Sequence, residues 1–163
     1  MAINFTPDVL VCGGGCAGIA AALASARRGV KTMLIERAGF AGGIITTVGL
    51  PFFDGIARKH DRRIVYRGIG FEFLVKMGVS KPDDQTIYSH NPVIRSVERF
   101  KILLDELISS EPALEALYHS VVAGVTAKGD RIDEVLVANK GGLQRFRPKT
   151  VIDCTGDADV AAW

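Results

Sequence analysis

Cysteine is scarce in this chain: three in 163 residues, an odd number with two of them close together near the start. Such a count makes no disulfide framework. Cys12, Cys16 and Cys154 form no C-x-x-C pair, so neither a zinc nor an iron–sulfur site is expected. A reducing cytoplasm is the expected setting. Long apolar runs are also lacking, and none reaches the ~18 residues that a membrane span needs. The segment from Met1 to Pro7 has no basic region followed by an apolar core, so no secretory leader is expected. Charge of one sign is absent too. A net charge of +2 gives no argument for nucleic acid or an acidic membrane surface as partner. His60, His90 and His119 stand apart from any acid or nucleophile pattern, and no Ser-His-Asp or paired-carboxylate arrangement can be drawn. No catalytic residue is therefore assigned. There is no internal repeat and no low-complexity segment.

What remains is an ordinary globular composition, 48% hydrophobic and 23% charged. The length suits one domain, which would bury about 70% of its unfolded surface.

The stretch from Asp8 to Gly43 carries the strongest signal. Val9-Leu10-Val11-Cys12 is a short apolar run of the kind that a fully buried parallel strand shows. Gly13-Gly14-Gly15-Cys16-Ala17-Gly18 follows and fits G-x-G-x-x-G at Gly13, Gly15 and Gly18. Ala17 to Arg28 is alanine-rich and reads as a helix closed by Gly29. Val30 to Ile35 reads as a second strand, with Glu36 at its end. In such a βαβ unit the first glycine allows a sharp turn and the second lets backbone approach a pyrophosphate. The third lets the helix pack against the sheet. Unpaired N–H groups at the helix start then face the phosphates. Glu36 follows Gly18 at close to the ~20-residue spacing of the acid that accepts ribose hydroxyls. Strand, helix and acid together turn a weak glycine motif into a specific one.

Further along, Gly39-Phe40-Ala41-Gly42-Gly43 offers a second ligand-facing loop, since adjacent glycines permit close backbone approach. Residues 49–92 read as an irregular, cap-like insertion, with a helix-compatible pattern from Ile64 to Met77 that Gly68 and Gly70 interrupt and Gly78 ends. The charges Arg58, Lys59, His60, Asp61, Arg62, Arg63 and Arg67 could hold an anionic substrate, although a solvated face is the simpler reading. Ile94 to Ser109 reads as a core-facing amphipathic helix. Ala116 to Ser120 would be a parallel strand after it. Val121–Ala127, Arg131–Ala138 and Leu143–Arg147, joined by short glycine-containing links, read as an antiparallel meander. Thr150 to Cys154 is another buried strand, running into Thr155-Gly156-Asp157-Ala158-Asp159.

Three segments in fixed order carry a family likeness: the GGGCAG turn, Glu36-Arg37…Gly42-Gly43, and Asp153-Cys154-Thr155-Gly156-Asp157-Ala158-Asp159. The chain resembles FAD-dependent oxidoreductases of the glutathione-reductase-type flavin fold. Within them it looks most like the group containing the flavoprotein subunit of heterodisulfide reductase, whose last motif reads D-A-T-G-D-G-D. Cys154 and Ala158 replace an alanine and a glycine of that motif. The resemblance implies an α/β, Rossmann-type FAD-binding domain over residues 1–163, a parallel sheet plus a three-stranded antiparallel meander. FAD would be the cofactor and electron or hydride transfer the activity. Gly13, Gly15 and the Cys16 amide would sit at the pyrophosphate, Ala17 and Gly18 would also bind the cofactor, Glu36 would hold the adenosine ribose and Arg37 would lie near the adenine. Gly42 and Gly43 would pass close to the pyrophosphate and ribityl chain, with Thr46 near the flavin. Val122 would meet the adenine through its backbone. Thr155, Gly156 and Asp157 would return to the cofactor. Members usually continue into a substrate region and a closing segment, so an N-terminal or truncated portion is expected.

An NAD(P)-binding domain built on the same βαβ unit is one alternative. A flavin-fold chain without catalytic activity is another. Substrate and electron partner stay open, and a homo-oligomer is compatible. Cys16, at a helix start where the dipole lowers a thiol pKa, could be redox-sensitive or simply a small residue beside phosphates. Cys12 reads as core.

Overall fold

The computed structural model describes residues 6–163, and the leader reading on Met1–Phe5 falls outside them. The elements in chain order are β1 (Val9–Cys12), α1 (Cys16–Ala26), β2 (Thr32–Ile35), α2 (Ile44–Thr47), α3 (Ile69–Lys76) and α4 (Val97–Ser109). Then come β3 (Leu114–Leu117), β4 (Val121–Lys128), β5 (Arg131–Asn139), β6 (Gly142–Phe146), β7 (Thr150–Asp153) and α5 (Asp159–Ala162).

Four strands form a parallel sheet in the order β3-β2-β1-β7, and β4-β5-β6 form a separate antiparallel sheet. The parallel sheet lies between two layers, which explains the unbroken apolar runs of β1 and β2. Alternate residues point to opposite faces. Val11 and Leu34 join the helical side with Ile19, Leu23, Leu74 and Leu104. Leu10, Cys12, Met33 and Ile35 join the other side with Val135, Val137 and Phe146 of the meander. One sheet thus serves two cores.

In α1, Ile19, Ala22, Leu23 and Ala26 make a buried stripe at helical spacing. The helix stops at Ala26, earlier than Arg28, because the chain turns through Gly29 at φ +78°. In α4, Ser96 accepts the Arg99 N–H at 3.2 Å and so starts the helix at Val97 rather than Ile94. Phe100 of α4 packs edge-on against Phe53 and Phe73, at 5.9 and 5.7 Å between ring centres. Truncating either fully buried ring, Phe73 or Phe100, would cost ~3–5 kcal/mol.

The helix expected over Ile64–Met77 is shorter. Ile64 pairs with Ala57 in an isolated bridge, and Gly68 at φ +72° breaks the path back from Ile69. The strand expected over Ala116–Ser120 lies two residues earlier. It ends where His119, at φ +52°, turns the chain out of the sheet. The meander falls within about two residues of its expected bounds. No helix among the described residues is long and apolar enough to cross a membrane.

Candidate dinucleotide-binding site

Parallel pairing aligns Cys12 with Ile35 on one side and with Asp153 on the other. The segments that leave these three strands therefore emerge together at one sheet edge. They are Gly13–Gly18, Glu36–Gly43 and Cys154–Asp159. An open α/β sheet binds ligands at this C-terminal edge.

At the first turn the Gly13 N–H donates to the Ile35 carbonyl at 2.8 Å. Gly13 has φ +102°, and a Cβ there would lie 2.3 Å from the Cys154 carbonyl oxygen. A Cβ on Gly18 would lie 1.8 Å from the Gly13 carbonyl oxygen, so α1 is pressed onto the turn. Gly15 is different. Its nearest neighbour in the Cβ direction is the Gly43 Cα at 4.0 Å. Gly13 and Gly18 serve packing, whereas Gly15 leaves room beside the start of α1. No side chain caps that helix start, and the first intrahelical bond is Ile19 N–H to the Gly15 carbonyl at 2.9 Å. The amides of Cys16, Ala17 and Gly18 therefore precede the helical ladder, the arrangement that suits an anion.

Glu36 is 7% exposed and sits beneath this turn. One carboxylate oxygen accepts the Gly14 N–H at 2.7 Å and the other accepts the Ala38 N–H at 2.6 Å. A Cβ on Gly14 would stand 2.7 Å from the Oε2 that accepts its N–H, so a side chain at the middle position of G-x-G would displace the Glu36 side chain. Arg37 beside it is exposed. The Glu36 carbonyl accepts the Ser120 N–H at 2.9 Å, which fixes the start of β4 to this edge. Val122, two residues on, is half-buried against the meander core.

The second glycine loop is tied to the first by the Gly42 N–H, which donates to the Gly14 carbonyl at 2.8 Å. Gly43, at φ +55°, precedes α2, and a Cβ on it would come within 2.9 Å of the Gly15 Cα. Thr46 is buried, and its hydroxyl donates to the Ala41 carbonyl at 2.8 Å. That hydroxyl braces the loop from inside. Lys101 of α4 lies over the Phe40 ring at 4.1 Å and holds the loop from outside.

After β7, Thr155 is half-buried while Gly156 and Asp157 are exposed. Asp153 accepts from the Thr155 N–H at 3.0 Å and from the Thr155 hydroxyl at 2.6 Å through one oxygen. Burial alone would raise the Asp153 pKa, but the bonds from Thr155, Ala161 and Val160 outweigh it and hold the carboxyl below its ordinary value.

Of the two readings of Cys16, burial favours the small, unreactive residue. Burial pushes Cys16 up to about 11, more than its own backbone N–H lowers it, so the dipole does not make a reactive thiolate here. Cys12 is pushed up to about 12, first by burial and then by Asp153 and Cys154. All three cysteines are free thiols. Among the described residues no cluster of three or more His, Cys, Asp or Glu could hold a metal.

The edge thus holds an uncapped helix start behind a glycine with open space, and a buried carboxylate one turn away. Phosphate oxygens suit the first and a vicinal diol the second, which is the donor and acceptor set of an adenine dinucleotide. The structure also shows what sequence reasoning missed: Gly14, Ala38 and Asp153. A third consecutive glycine was the available signal for Gly14, and the first acid of the last motif was the signal for Asp153. An Ala38 amide leaves no signal.

Comparison with known proteins agrees with this chemistry. Cinnamate reductase of Clostridium sporogenes is 42% identical over 79 residues, covering 45% of this chain and 11% of that protein. The tRNA uridine 5-carboxymethylaminomethyl modification enzyme MnmG of Nitratiruptor sp. is 30% identical over 165 aligned positions, covering 91% of this chain and 24% of that protein. The chain therefore spans a quarter or less of these two relatives. Among solved structures, THI4 of Thermovibrio ammonificans superposes with a TM-score of 0.65 at 17% identity, over 96% of this chain and 60% of that one. That likeness concerns the fold. These matches do not single out the heterodisulfide reductase group. The family model described as FAD dependent oxidoreductase matches residues 8–163, and the chain belongs to that family.

Proposed function

We propose that this chain forms the FAD-holding part of an oxidoreductase that transfers electrons or a hydride to or from a small molecule or an electron-transfer partner. The observation that carries this reading is the convergence of Gly15, Glu36 and Gly43 on one sheet edge, with open space on the Gly15 side. Bound FAD would supply the redox step, and the protein would hold and orient it. The N–H groups at the start of α1 would face the pyrophosphate. Glu36, already oriented by Gly14 and Ala38, would accept the adenosine ribose hydroxyls through its remaining lone pairs. Arg37 and the Val122 backbone would flank the adenine. Gly42, Gly43 and the Thr155–Asp157 segment would meet the flavin half. Three free thiols support a reducing, cytoplasmic setting.

An NAD(P)-binding domain would use the same first turn and the same acid. The Gly42–Gly43 loop bonded to Gly14 and the closed turn after β7 favour FAD, since a nicotinamide domain requires neither. Titrating the purified chain with FAD and following flavin fluorescence tests the reading. Saturable binding that ADP relieves supports it, and the absence of binding removes it.

A further inference from the structure

Asp153 ends β7 directly opposite Cys12, the last residue before the glycine turn. Its carboxylate is bonded on both oxygens. Oδ1 accepts the N–H and the hydroxyl of Thr155, and Oδ2 accepts the Ala161 N–H at 3.1 Å. The Thr155 hydroxyl in turn accepts the Asp159 N–H at 2.7 Å. Two nested closures result. The inner one runs from the Thr155 hydroxyl to Asp159, and the outer one from Asp153 to Ala161.

Between the closing points lie Gly156, Asp157 and Ala158, all exposed, with Ala158 left-handed at φ +56°. A non-glycine residue in that conformation is strained and persists only where its surroundings impose it. The base of the turn also rests on the glycine motif, because the Cys154 carbonyl occupies the space a Gly13 side chain would need. A short exposed tip is therefore held at both ends, with its base against the Gly13 turn.

We propose that Asp153 is a positioning residue that fixes Thr155, Gly156 and Asp157 in the shape that receives the flavin half of FAD. This rests on the FAD reading above. The carboxylate must accept at both oxygens, whereas an amide can accept at only one and turns a donor toward the other N–H. Asp153→Asn keeps the volume and breaks one closure.

The test compares FAD and ADP binding by calorimetry for the wild-type chain, Asp153→Asn, Thr155→Ser and Thr155→Val. ADP lacks the flavin half, so the FAD-to-ADP affinity ratio isolates the turn from overall stability. Wild type should favour FAD. Asp153→Asn and Thr155→Val should each lower the ratio about tenfold, the value of one charge-assisted bond, with ADP affinity unchanged. Thr155→Ser, which keeps the hydroxyl, should restore it. An unchanged ratio in Asp153→Asn, or a wild type that binds ADP as tightly as FAD, overturns the role given to Asp153 while leaving FAD binding intact. A wild type that binds neither overturns the FAD reading and this inference with it. Should Asp153→Asn fail to fold, the Thr155 pair decides in the same terms.

Discussion

Gly15 and Gly43 face each other across the sheet edge, and the space between them is asymmetric. A Cβ on Gly43 would come within 2.9 Å of the Gly15 Cα, whereas a Cβ on Gly15 meets nothing nearer than the Gly43 Cα at 4.0 Å. Gly43 is glycine because the protein itself fills its space. Gly15 is glycine in a place the fold leaves open.

That difference separates folding from binding. Gly15 has an ordinary φ of −71°, so Gly15→Val should fold, with far-UV circular dichroism close to wild type. Its side chain would occupy the approach to the pyrophosphate, and FAD retention should be lost. Gly18→Ala should do the reverse. Its methyl would overlap the Gly13 carbonyl at 1.8 Å, and overpacking of this kind costs ~1–3 kcal/mol or more. Thermal unfolding should show a lower midpoint in Gly18→Ala and little change in Gly15→Val.

Glu36 should matter to both fold and ligand. Glu36→Ala removes the acceptor of the buried Gly14 N–H and of the Ala38 N–H, and FAD affinity should fall by ~2–3 kcal/mol. Flavin titration at fixed salt measures it. Unchanged affinity would remove Glu36 from the site.

Thiol chemistry should be slow. With burial pushing Cys16 up to about 11 and Cys12 up to about 12, iodoacetamide at pH 8 should label both far more slowly than a free thiol. Labelling of Cys16 should accelerate as pH approaches 11. Fast, stoichiometric modification of Cys16 at pH 7 would show that the helix dipole wins after all.

Arg27 links three helical segments, donating to Glu72 of α3 at 2.7 Å and to Glu111 beyond α4 at 2.8 Å. The hydrogen bond from Arg27 holds the Glu72 carboxyl below its ordinary 4.5. A depressed folded pKa contributes stability that is full above the unfolded value and fades as pH falls through the folded one. Both partners are partly exposed, so Arg27→Ala should cost about 1 kcal/mol or less at pH 7. In denaturant melts the loss should shrink below pH 4 and in high salt. A loss independent of both would point to packing instead of charge.

The architecture was largely legible because its signals are steric and periodic. The apolar runs at β1 and β2, the glycine motif and the paced meander each admit few folds, and the parallel sheet with its attached meander follows. In Ile64–Met77 the Gly68 interruption marks where the helix begins, at φ +72°, whereas apolar spacing says nothing of the Ile64–Ala57 bridge before it. At the site, glycines and Glu36 could be read because each has a spacing rule. Thr46 has no such rule. A hydroxyl near a ligand and a hydroxyl bonded to its own loop look identical in sequence, and here it donates to Ala41. Cys16 shows the same for competing effects. A helix start lowers a thiol pKa, burial raises it, and only the packed structure says that burial is larger.

On the proposed function, this sheet edge takes FAD in preference to another adenine dinucleotide. A calorimetric titration of the chain with FAD, with NAD as competitor, addresses it most directly. One FAD should bind per chain, about tenfold or more tighter than NAD, because on the proposed reading only FAD would reach both the Gly42–Gly43 loop and the turn after β7. NAD binding as tightly as FAD, or displacing it at equal concentration, would contradict the account.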